Sequence, residues 1–558
     1  MVSQWGIKFA VHLITNHFGK IVAKVCETLL RQGPLTLELL IRFTELSKEH
    51  VKNSLLVLIQ HNCVQAFICE GGDVDESRVK TQYLVLFDNI LHRPRFPKFM
   101  EIVLQELDKH CEKVLEGLLR DGRLTLKQMI DRASQGASQE NGKCFIWLTI
   151  VCREYCISSF FSSRICFKIM NPLKFVQLKN HAFSLSDSAV VADAVRENLC
   201  KLLMARYVER CPAAEVTIVE EEIITKKRGA KSDQNFKAPE TTIQRVIEAA
   251  VPGDAIRFSL TADTGCNSDE ETKPADINVA ENNEKEQLIL WRVNFEEFLR
   301  YLRDKLLIEN VRARMDDGAA TVVRAMLEAT RNVDKRVKIE NSVPLELDQL
   351  FTEVIKTENG LQMTMDRVKA YLVQLGCSSQ ISFAYTIDLK HIIHLARNEE
   401  VESIVLKRYG RDAYRMFRHL SKEKQFCPTD KIAESTLVEK KEAPKLLNRL
   451  LKDNYLHMEK LNVSVVGSNK QTQLLMWRVN QPLLWEYVLD EMYHAALNLS
   501  LRMAFEQEKD EEILNVPKDK ITASEPLQKK YKRLQNVCLL LGSSLLKLDD
   551  ALMLFHDF

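Results

Sequence analysis

Apolar positions in the first sixty residues recur with the period of a helix. Residues spaced three or four apart predict a helix from about Val11 to Leu30, which Gly33 terminates. The stretch "PLTLELLIRFTEL" predicts a short second helix with Thr36 as its N-cap, and Ser47 caps a third helix, "KEHVKNSLLVLIQHN". Two β-type runs follow, "CVQAFIC" and "QYLVLF", separated by a polar stretch. The third helix should bury its apolar face, formed by Val51, Leu55, Leu58 and Ile59.

This pattern returns along the chain. The stretch "VCETLLRQGPLTLELLI" recurs 89 positions later as "VLEGLLRDGRLTLKQMI", and ten of the seventeen positions are identical. The third-helix pattern recurs without gaps from Val195 and from Ala443, and a weaker copy is "MDRVKAYLVQLG" before the strand "QISFAYTI". Leucines at this spacing would also fit the core of any helical hairpin. The leucines that coincide are Leu55, Leu199 and Leu447, and then Leu58, Leu202 and Leu450; the weaker copy has Val368, Leu372 and Leu375.

Three helices followed by two strands around a polar tip are the order of a winged helix. The predicted fold class is therefore mainly α with small β wings, built from four tandem, extended winged helices and a C-terminal coiled-coil helical hairpin. The predicted division is winged helix 1 over 1–95, winged helix 2 over 96–211, a charged, flexible linker over 212–286, winged helix 3 over 287–400, winged helix 4 over 401–481, and the hairpin over 482–558.

The second module contains a long insertion, at about 134–190. Ten positions separate Ile41 from Val51, whereas 65 separate Ile130 from Val195. Four close cysteines suggest a zinc site, but there is no C-x-x-C pair and no nearby histidine pair. An extra or alternatively spliced segment is the preferred interpretation. The cysteines are Cys144, Cys152, Cys156 and Cys166.

The C-terminal hairpin rests on a heptad pattern. A long amphipathic helix, "PLLWEYVLDEMYHAALNLSLRMAFEQE", is followed by a polar turn around Pro517. A second helix then has apolar residues at alternating spacings of four and three, which favours coiled-coil packing. The two helices either pair with each other in an antiparallel hairpin or accept a partner's helix. The seam residues are Leu534, Cys538, Leu541, Leu545, Leu548, Leu552 and Phe555.

Composition narrows the class of protein. The 558 residues are 46% hydrophobic and 28% charged, with a net charge of +1, so nucleic acid would be bound by local patches rather than by bulk charge. The start of the chain has no signal-peptide pattern, and the 14 cysteines are expected to be reduced thiols inside a cell. A basic cluster in the linker fits nuclear import, or an ordinary solvated loop; it consists of Lys226, Lys227, Arg228 and Lys231.

No pattern of catalysis is found. "GASQENGKC" does not have the glycine spacing of a phosphate loop and has Cys144 in place of the metal-binding hydroxyl, and "HIIH" (His391, His394) lacks the glutamate and spacing of a zinc hydrolase. Asp73 and Asp75 lie on a predicted wing tip, where acidic residues are usually solvated. The chain is therefore expected to be no enzyme, and to bind no cofactor and no metal.

The exposed faces of two third helices are the candidate DNA contacts. In a winged helix this face can enter the major groove while the wing follows the backbone. Glutamates dilute both patches (Glu49, Glu439 and Glu442), so a solvated surface is the alternative. The candidate residues are Lys48, Lys52 and Asn53 in the first module and Lys440, Lys441, Lys445 and Arg449 in the fourth.

Several separated blocks resemble one family, subunit three of DNA-directed RNA polymerase III. They are "HFGKIVAKVCETLLRQGPLTLELLIRFTEL", "SLLVLIQHNCV", "RENLCKLLMARYVERCP", "WRVNFEEFLRYLRDKLLIENV" and "LKRYGRDAYRMFRHLSKEKQF", in the family's order from about Ile7 to the C-terminus. The resemblance does not extend to the segment from about Cys144 to Ser188.

The resemblance implies a non-catalytic subunit of a nuclear enzyme. Its expected partners are two further polymerase III-specific subunits in a peripheral heterotrimer, the large subunits on which the trimer docks, initiation factors, and DNA, including single strands at an open promoter; no membrane is expected. The implied role is promoter recruitment and DNA opening for small RNAs such as tRNA and 5S rRNA. Two other classes remain open: a winged-helix scaffold of a cullin-like or lid-type complex, and a free-standing transcription factor.

Overall fold

The computed structural model describes residues 2–70, 80–134, 188–212, 215–219, 242–260, 289–331, 337–357, 359–377, 379–380, 384–423, 425–464, 471–514, 516 and 524–558. They form two compact units. Unit 1 is Met1–Phe298 with Leu499–Leu546, and unit 2 is Leu299–Asn498 with Lys547–Phe558. In these ranges no helix is long and apolar enough to cross a bilayer.

Unit 1 contains two modules with the same element order: helix A, a short strand, helix B, helix C and two wing strands. Helix α1 (Gln4–Phe18) precedes module 1, which consists of α2 (Lys20–Gln32), β1 (Leu35–Thr36), α3 (Leu37–Thr44), α4 (Lys48–Gln60), β2 (Val64–Glu70) and β3 (Thr81–Val85). Helix α5 (Phe87–Leu91), a 3₁₀ turn (Arg93–Arg95) and α6 (Phe96–Glu106) follow. Module 2 consists of α7 (Lys109–Asp121), β4 (Leu124–Thr125), α8 (Leu126–Ser134), α9 (Ser188–Met204), β5 (Val208–Arg210) and, after an intervening segment, the strand Leu290–Val293.

Unit 2 contains two further modules with this order. Helix α12 (Phe295–Arg314) precedes module 3, which is α13 (Asp317–Thr330), β8 (Leu345–Glu346), α14 (Leu347–Lys356), α15 (Met365–Gln374), β9 (Ser379–Gln380) and β10 (Ala384–Tyr385). Helix α16 (Leu389–Tyr409) leads to module 4, which is α17 (Arg411–Glu423), β11 (Cys427–Pro428), α18 (Thr429–Thr436), α19 (Ala443–Lys452), β12 (His457–Ser464) and β13 (Gln471–Arg478). The C-terminal helices are α20 (Gln481–Lys509), α21 (Glu511–Leu514) and α22 (Glu525–His556).

The first predicted helix is in fact two helices. Gly19 lies between α1 and α2 with φ 88, a left-handed value that glycine adopts at little cost, and the two helices pack against each other. A single helix from Val11 to Leu30 was therefore wrong, because the apolar period continues across the break. The predicted end at Gly33 is confirmed: its φ is 84 and its amide bonds to Leu29.

The repeated Leu-Thr pair forms a strand rather than the start of a helix. Leu35–Thr36 pairs antiparallel with the second wing strand of module 1, and the corresponding Leu124–Thr125 pairs with Leu290–Val293. Thr36 does occupy the N-cap position of α3, but its side chain makes no capping bond, whereas the Ser47 oxygen accepts from the His50 amide as predicted.

Every helix C ends in the same turn. In module 1 the Cys63 amide donates to the Leu58 carbonyl at 2.8 Å, and Asn62 has φ 58. This is the Schellman arrangement, in which a left-handed residue lets the chain leave the helix and enter a strand. The corresponding left-handed residues are Arg206, Gly376 and Asn454, and their turns close onto Leu202, Leu372 and Leu450.

The predicted helix-C leucines are in the core. Leu55, Leu199 and Leu447 are all buried, as are Leu58, Leu202 and Leu450 one helical turn later. In the weaker third copy Val368 and Leu372 are buried and Leu375 is half-buried. The run "QISFAYTI", predicted as one strand, contains the last residue of β9 and the whole of β10, and these two strands pair with each other.

Module 2 is completed by a distant strand. Strand β7 (Leu290–Val293) lies between β4 and β5 and pairs antiparallel with both, so it belongs to module 2 and not to a third domain beginning at 287. Local periodicity could not show this, because both partners of β7 lie far earlier in the chain, at 208–210 and at 124–125. The cysteine-rich insertion, including Cys144, Cys152, Cys156 and Cys166, lies outside the described residues.

The predicted linker contains structured segments. Strand β6 (Glu215–Val219) pairs in parallel with β2, and helix α10 (Thr242–Ala250) covers that sheet by packing Val246 and Ala250 on Phe67 and Leu84. Helix α11 (Asp254–Arg257) follows, and its Arg257 pairs with the buried Glu209 of β5. A flexible linker over 212–286 is therefore incorrect for these segments. The basic cluster at Lys226–Lys231 lies outside the described residues.

The C-terminal seam is largely buried. Leu534, Cys538, Leu545, Leu552 and Phe555 are buried, and Leu541 and Leu548 are half-buried. In unit 1 the Arg533 guanidinium donates to Glu506 at 3.3 Å, and the Leu546 carbonyl accepts from Lys98; in unit 2 Tyr493 and His556 share a hydrogen bond of 3.0 Å. Both helix-to-helix contacts fit an antiparallel pair, and α22 also contacts α6. Coiled-coil packing as such stays a prediction.

Candidate nucleic-acid interface

The outer face of α4 presents all three candidate residues of module 1. Lys48, Lys52 and Asn53 are exposed, while Val51 and Leu55 anchor the opposite face in the core. Lys48 and Lys52 are four residues apart and therefore project from the same side of the helix. The three side chains can reach a phosphate backbone or a base edge without unfolding any part of the module.

An exposed leucine and an ion pair lie close to these lysines. Leu56, one turn after Lys52, is 64% exposed. Glu38 of helix B accepts a hydrogen bond from Lys80 at 2.9 Å, and this bond, with a smaller contribution from Lys48, lowers the pKa of the Glu38 carboxyl. The face is thus basic and apolar together; the Glu38 carboxylate is already engaged by Lys80, and the exposed Glu49 on α4 reduces its net positive charge.

The candidate cations of module 4 are exposed but mostly paired within the chain. Lys440 bonds to Glu434 at 2.9 Å and Lys445 to Glu442 at 2.8 Å, and each bond raises the pKa of its lysine. Solvent-exposed pairs of this kind contribute little to stability, so a phosphate can replace the glutamate.

The remaining two cations differ in their surroundings. Lys441 is exposed at the turn before α19. The Arg449 guanidinium lies 5.2 Å from the Tyr409 ring centre, a cation–π contact that holds it on the surface at the C-terminal end of helix C. Helix C of module 4 therefore offers cations along its whole length.

Sequence reasoning missed a residue at the turn into this helix. Leu437, between helices B and C, is 88% exposed and has φ 56. A leucine seldom adopts this left-handed conformation, and its counterpart in module 1 is the polar Glu45. No periodic signal could have shown it, because a single residue in a turn has no period.

The other motifs singled out in the sequence have structural explanations or lie outside the described ranges. His394 packs on the Trp485 ring at 4.8 Å, and burial lowers its pKa, while the His391 amide donates to the capping Asp388. Asp73 and Asp75 lie outside the described residues. Within the residues that the structure covers, no group of His, Cys, Asp and Glu could hold a metal ion.

Sequence comparison places the chain among known proteins. The sequence model of the RNA polymerase III subunit RPC82 helix-turn-helix domain matches residues 8–68, that of RNA polymerase III subunit RPC82 matches 197–396, and that of the POLR3C C-terminal winged-helix domain matches 401–478. The three matches together cover more than half of the chain, and the last one spans module 4.

Curated relatives agree over most of the length. The human DNA-directed RNA polymerase III subunit RPC3 is 21% identical over 528 residues, which is 92% of this chain and 86% of the human protein. The zebrafish (Danio rerio) RPC3 is 22% identical over 90% of this chain and 84% of its own length. The Dictyostelium discoideum rpc3 is 31% identical over 23% of this chain and 21% of its own length. The chain belongs to the RPC82/RPC3 family of RNA polymerase III subunits.

Proposed function

We propose that this chain is a non-catalytic subunit of nuclear RNA polymerase III, and that it acts in a peripheral heterotrimer for promoter recruitment and DNA opening. Family membership supports the placement in the polymerase. The repeated module supports the mode of action, because in each copy a helix C ends in the same left-handed turn and leads into a wing strand. The absence of any catalytic motif from the sequence agrees with a subunit that positions DNA for other chains.

We further propose that DNA contact is made by the helix-C faces of modules 1 and 4. The observation that carries this is the exposure of these side chains beside buried helix faces. Lys48, Lys52 and Asn53 lie on helix C of module 1; in module 4, Lys445 and Arg449 lie on helix C, and Lys440 and Lys441 lie in the turn that leads into it. With a net charge of +1, the isolated chain should bind weakly and with strong salt dependence. Such contact is useful where a polymerase already holds the template.

A pull-down of the tagged, full-length chain from nuclear extract tests the placement. We expect the two largest polymerase III subunits and two smaller polymerase III-specific subunits in stoichiometric amounts. A matched control is the same chain carrying Leu199→Asp, which should unfold module 2 and lose the partners. Recovery of cullin or lid-complex subunits instead, or tight binding of one DNA site by the chain without polymerase, would contradict the proposal.

A further inference from the structure

Helix A of module 4 has a basic stripe that the helix-C patches do not include. Four cations on α17 are spaced i, i+4, i+7 and i+11 and therefore share one side of the helix. All four are exposed, while the opposite side buries Ala413, Met416, Phe417 and Leu420. The α17 stripe is Arg411, Arg415, Arg418 and Lys422.

The fold itself does not require this stripe. The third of these positions is a glutamate in modules 1 and 2, and in module 1 that Glu27 pairs with Arg31 at 2.8 Å. Module 3 has an aspartate at the first position and a glutamate at the last. The corresponding residues are Lys20, Lys24, Glu27 and Arg31 in α2, Lys109, Lys113, Glu116 and Arg120 in α7, and Asp317, Thr321, Arg324 and Glu328 in α13.

The stripe adjoins the helix-C patch of the same module. Tyr409, the last residue of α16, lies against the Arg449 guanidinium at 5.2 Å, and its hydroxyl donates to Asp453 after helix C. Gly410 then turns the chain, with φ 87, into Arg411. Through Tyr409 and Gly410, the C-terminal end of helix C is therefore linked to the start of the α17 stripe, with Asp453 beside the junction.

The composition of the stripe indicates what it binds. None of the residues from Arg411 to Glu423 is an exposed large apolar side chain, whereas the centre of a protein interface is apolar and depleted in charge. Three of the four cations are arginines, whose planar forks match phosphate oxygens. At 1.5 Å per residue, the stripe runs for about 16 Å along the helix.

We propose that the α17 stripe is a second track for a nucleic-acid phosphate backbone, continuous with the helix-C patch of module 4. This rests on the proposed DNA contact of helix C and extends it, because nucleic acid leaving helix C would pass along helix A of the same module. The ion pair Arg415–Asp412 of the stripe is exposed and long, at 3.6 Å, and is readily exchanged for phosphate. Arg418 lies 3.7 Å from Glu402, whose side chain is largely shielded from solvent.

The test is a salt series with the full-length chain and a duplex. The stripe variant is Arg411→Gln, Arg415→Gln and Lys422→Gln; Arg418 is kept because it faces Glu402, which is only 18% exposed. The matched control is Lys109→Gln, Lys113→Gln and Arg120→Gln, which removes three exposed cations from the corresponding positions of α7. A third variant reverses the charge of the helix-C patch by changing Lys440, Lys441, Lys445 and Arg449 to Glu. Filter binding gives the slope of log affinity against log salt.

We expect the stripe variant to reduce the magnitude of this slope by about 2 to 3 on duplex DNA, since each phosphate contact contributes about 0.9, and the α7 control to leave it unchanged. An unchanged slope for the stripe variant overturns the inference, and so does an equal loss in the control. If the stripe variant binds DNA normally but loses affinity for polyglutamate, the occupant is an acidic protein segment instead. The helix-C variant separates the proposed DNA contact of helix C from the second track. If the helix-C variant loses DNA affinity and the stripe variant does not, the proposed function stands and only the second track is removed.

Discussion

Gly122 joins modules 1 and 2 within unit 1. It lies in the turn after helix A of module 2, with φ 83, and a Cβ placed on it would come within 2.1 Å of the Gln60 carbonyl oxygen. The Arg123 amide bonds that same carbonyl at 3.0 Å, and its guanidinium bonds the Asn62 side chain at 2.9 Å. The end of helix C in module 1 is thus fixed against the turn of its neighbour.

Replacing Gly122 by alanine should therefore be costly. The left-handed conformation costs an alanine about 1–2 kcal/mol, and the clash with backbone adds to this. The matched control is Gly33→Ala, at the corresponding position of module 1, where φ is 84 but nothing lies within 4 Å of the added Cβ. Urea unfolding should show a clearly larger loss for Gly122→Ala. Equal losses would mean that the contact between the modules contributes nothing.

Two half-buried histidines, His17 at the end of α1 and His61 at the end of α4, have lowered pKa values. Burial, with repulsion from Arg93, lowers the pKa of His17 and of His61 to about 3. The Arg93 guanidinium lies 4.4 Å from the Phe18 ring centre, and Phe18 in turn packs on the His61 ring at 4.6 Å. A protonated imidazole here would place a second positive charge beside a buried arginine.

The pH dependence of stability follows from these lowered pKa values. The unfolded chain takes up protons on both histidines below about pH 6.5, while the folded module does not until about pH 3. Stability is therefore complete well above pH 6.5 and falls as the pH decreases, by about 1.4 kcal/mol for each histidine at pH 5.5. Unfolding free energies of His61→Gln should depend less on pH than those of the exposed-site control His110→Gln. Parallel curves would contradict this account.

At the scale of elements, local signals predicted most helices and failed where pairing is distant. Helix C could be predicted because its leucines, its cap at Ser47 and its terminal turn lie within fifteen positions. The break at Gly19 was missed because the apolar period runs through it. Strands β6 and β7 were missed for a different reason: their partners lie far away in the sequence, and no local pattern encodes that pairing. Of the candidate site, the exposure of the helix-C side chains could be predicted from the sequence. The α17 stripe was not predicted, because its residues have the pattern of an ordinary amphipathic helix.

The burial pattern of helix C gives a prediction at this scale. Leu199 of α9 is buried, and Leu199→Asp should destabilise module 2 by about 3–5 kcal/mol, because an unpaired carboxylate would enter the core. Met204 on the same helix is 88% exposed, so Met204→Asp is a matched control that should change stability by less than about 0.5 kcal/mol. The thermal unfolding midpoints of the two variants, monitored by circular dichroism, are compared. Similar midpoints for both variants would contradict the assignment of Leu199 to the core.

At the scale of the whole molecule, the chain is a series of similar modules that differ at their surfaces. The shared parts are the buried face of helix C, its left-handed turn and a sheet of three strands, which β6 extends to four in module 1. The differences are in charge: helix C and helix A of module 4 are rich in exposed cations, whereas helix C of module 1 combines two lysines with an exposed leucine. We infer that repetition supplies stable frames and that each surface is adapted to a separate contact.

Promoter opening tests the proposed DNA contact most directly. It is measured with polymerase III that contains the helix-C variant of module 4, in which Lys440, Lys441, Lys445 and Arg449 are changed to Glu. These side chains are exposed and outside the core, so the variant should assemble with the full set of subunits. Reversing their charge repels phosphate, so the fraction of promoter DNA reactive to permanganate should fall well below that of the unchanged enzyme. Failure of the variant chain to join the polymerase, or undiminished opening by a fully assembled enzyme, would contradict the account.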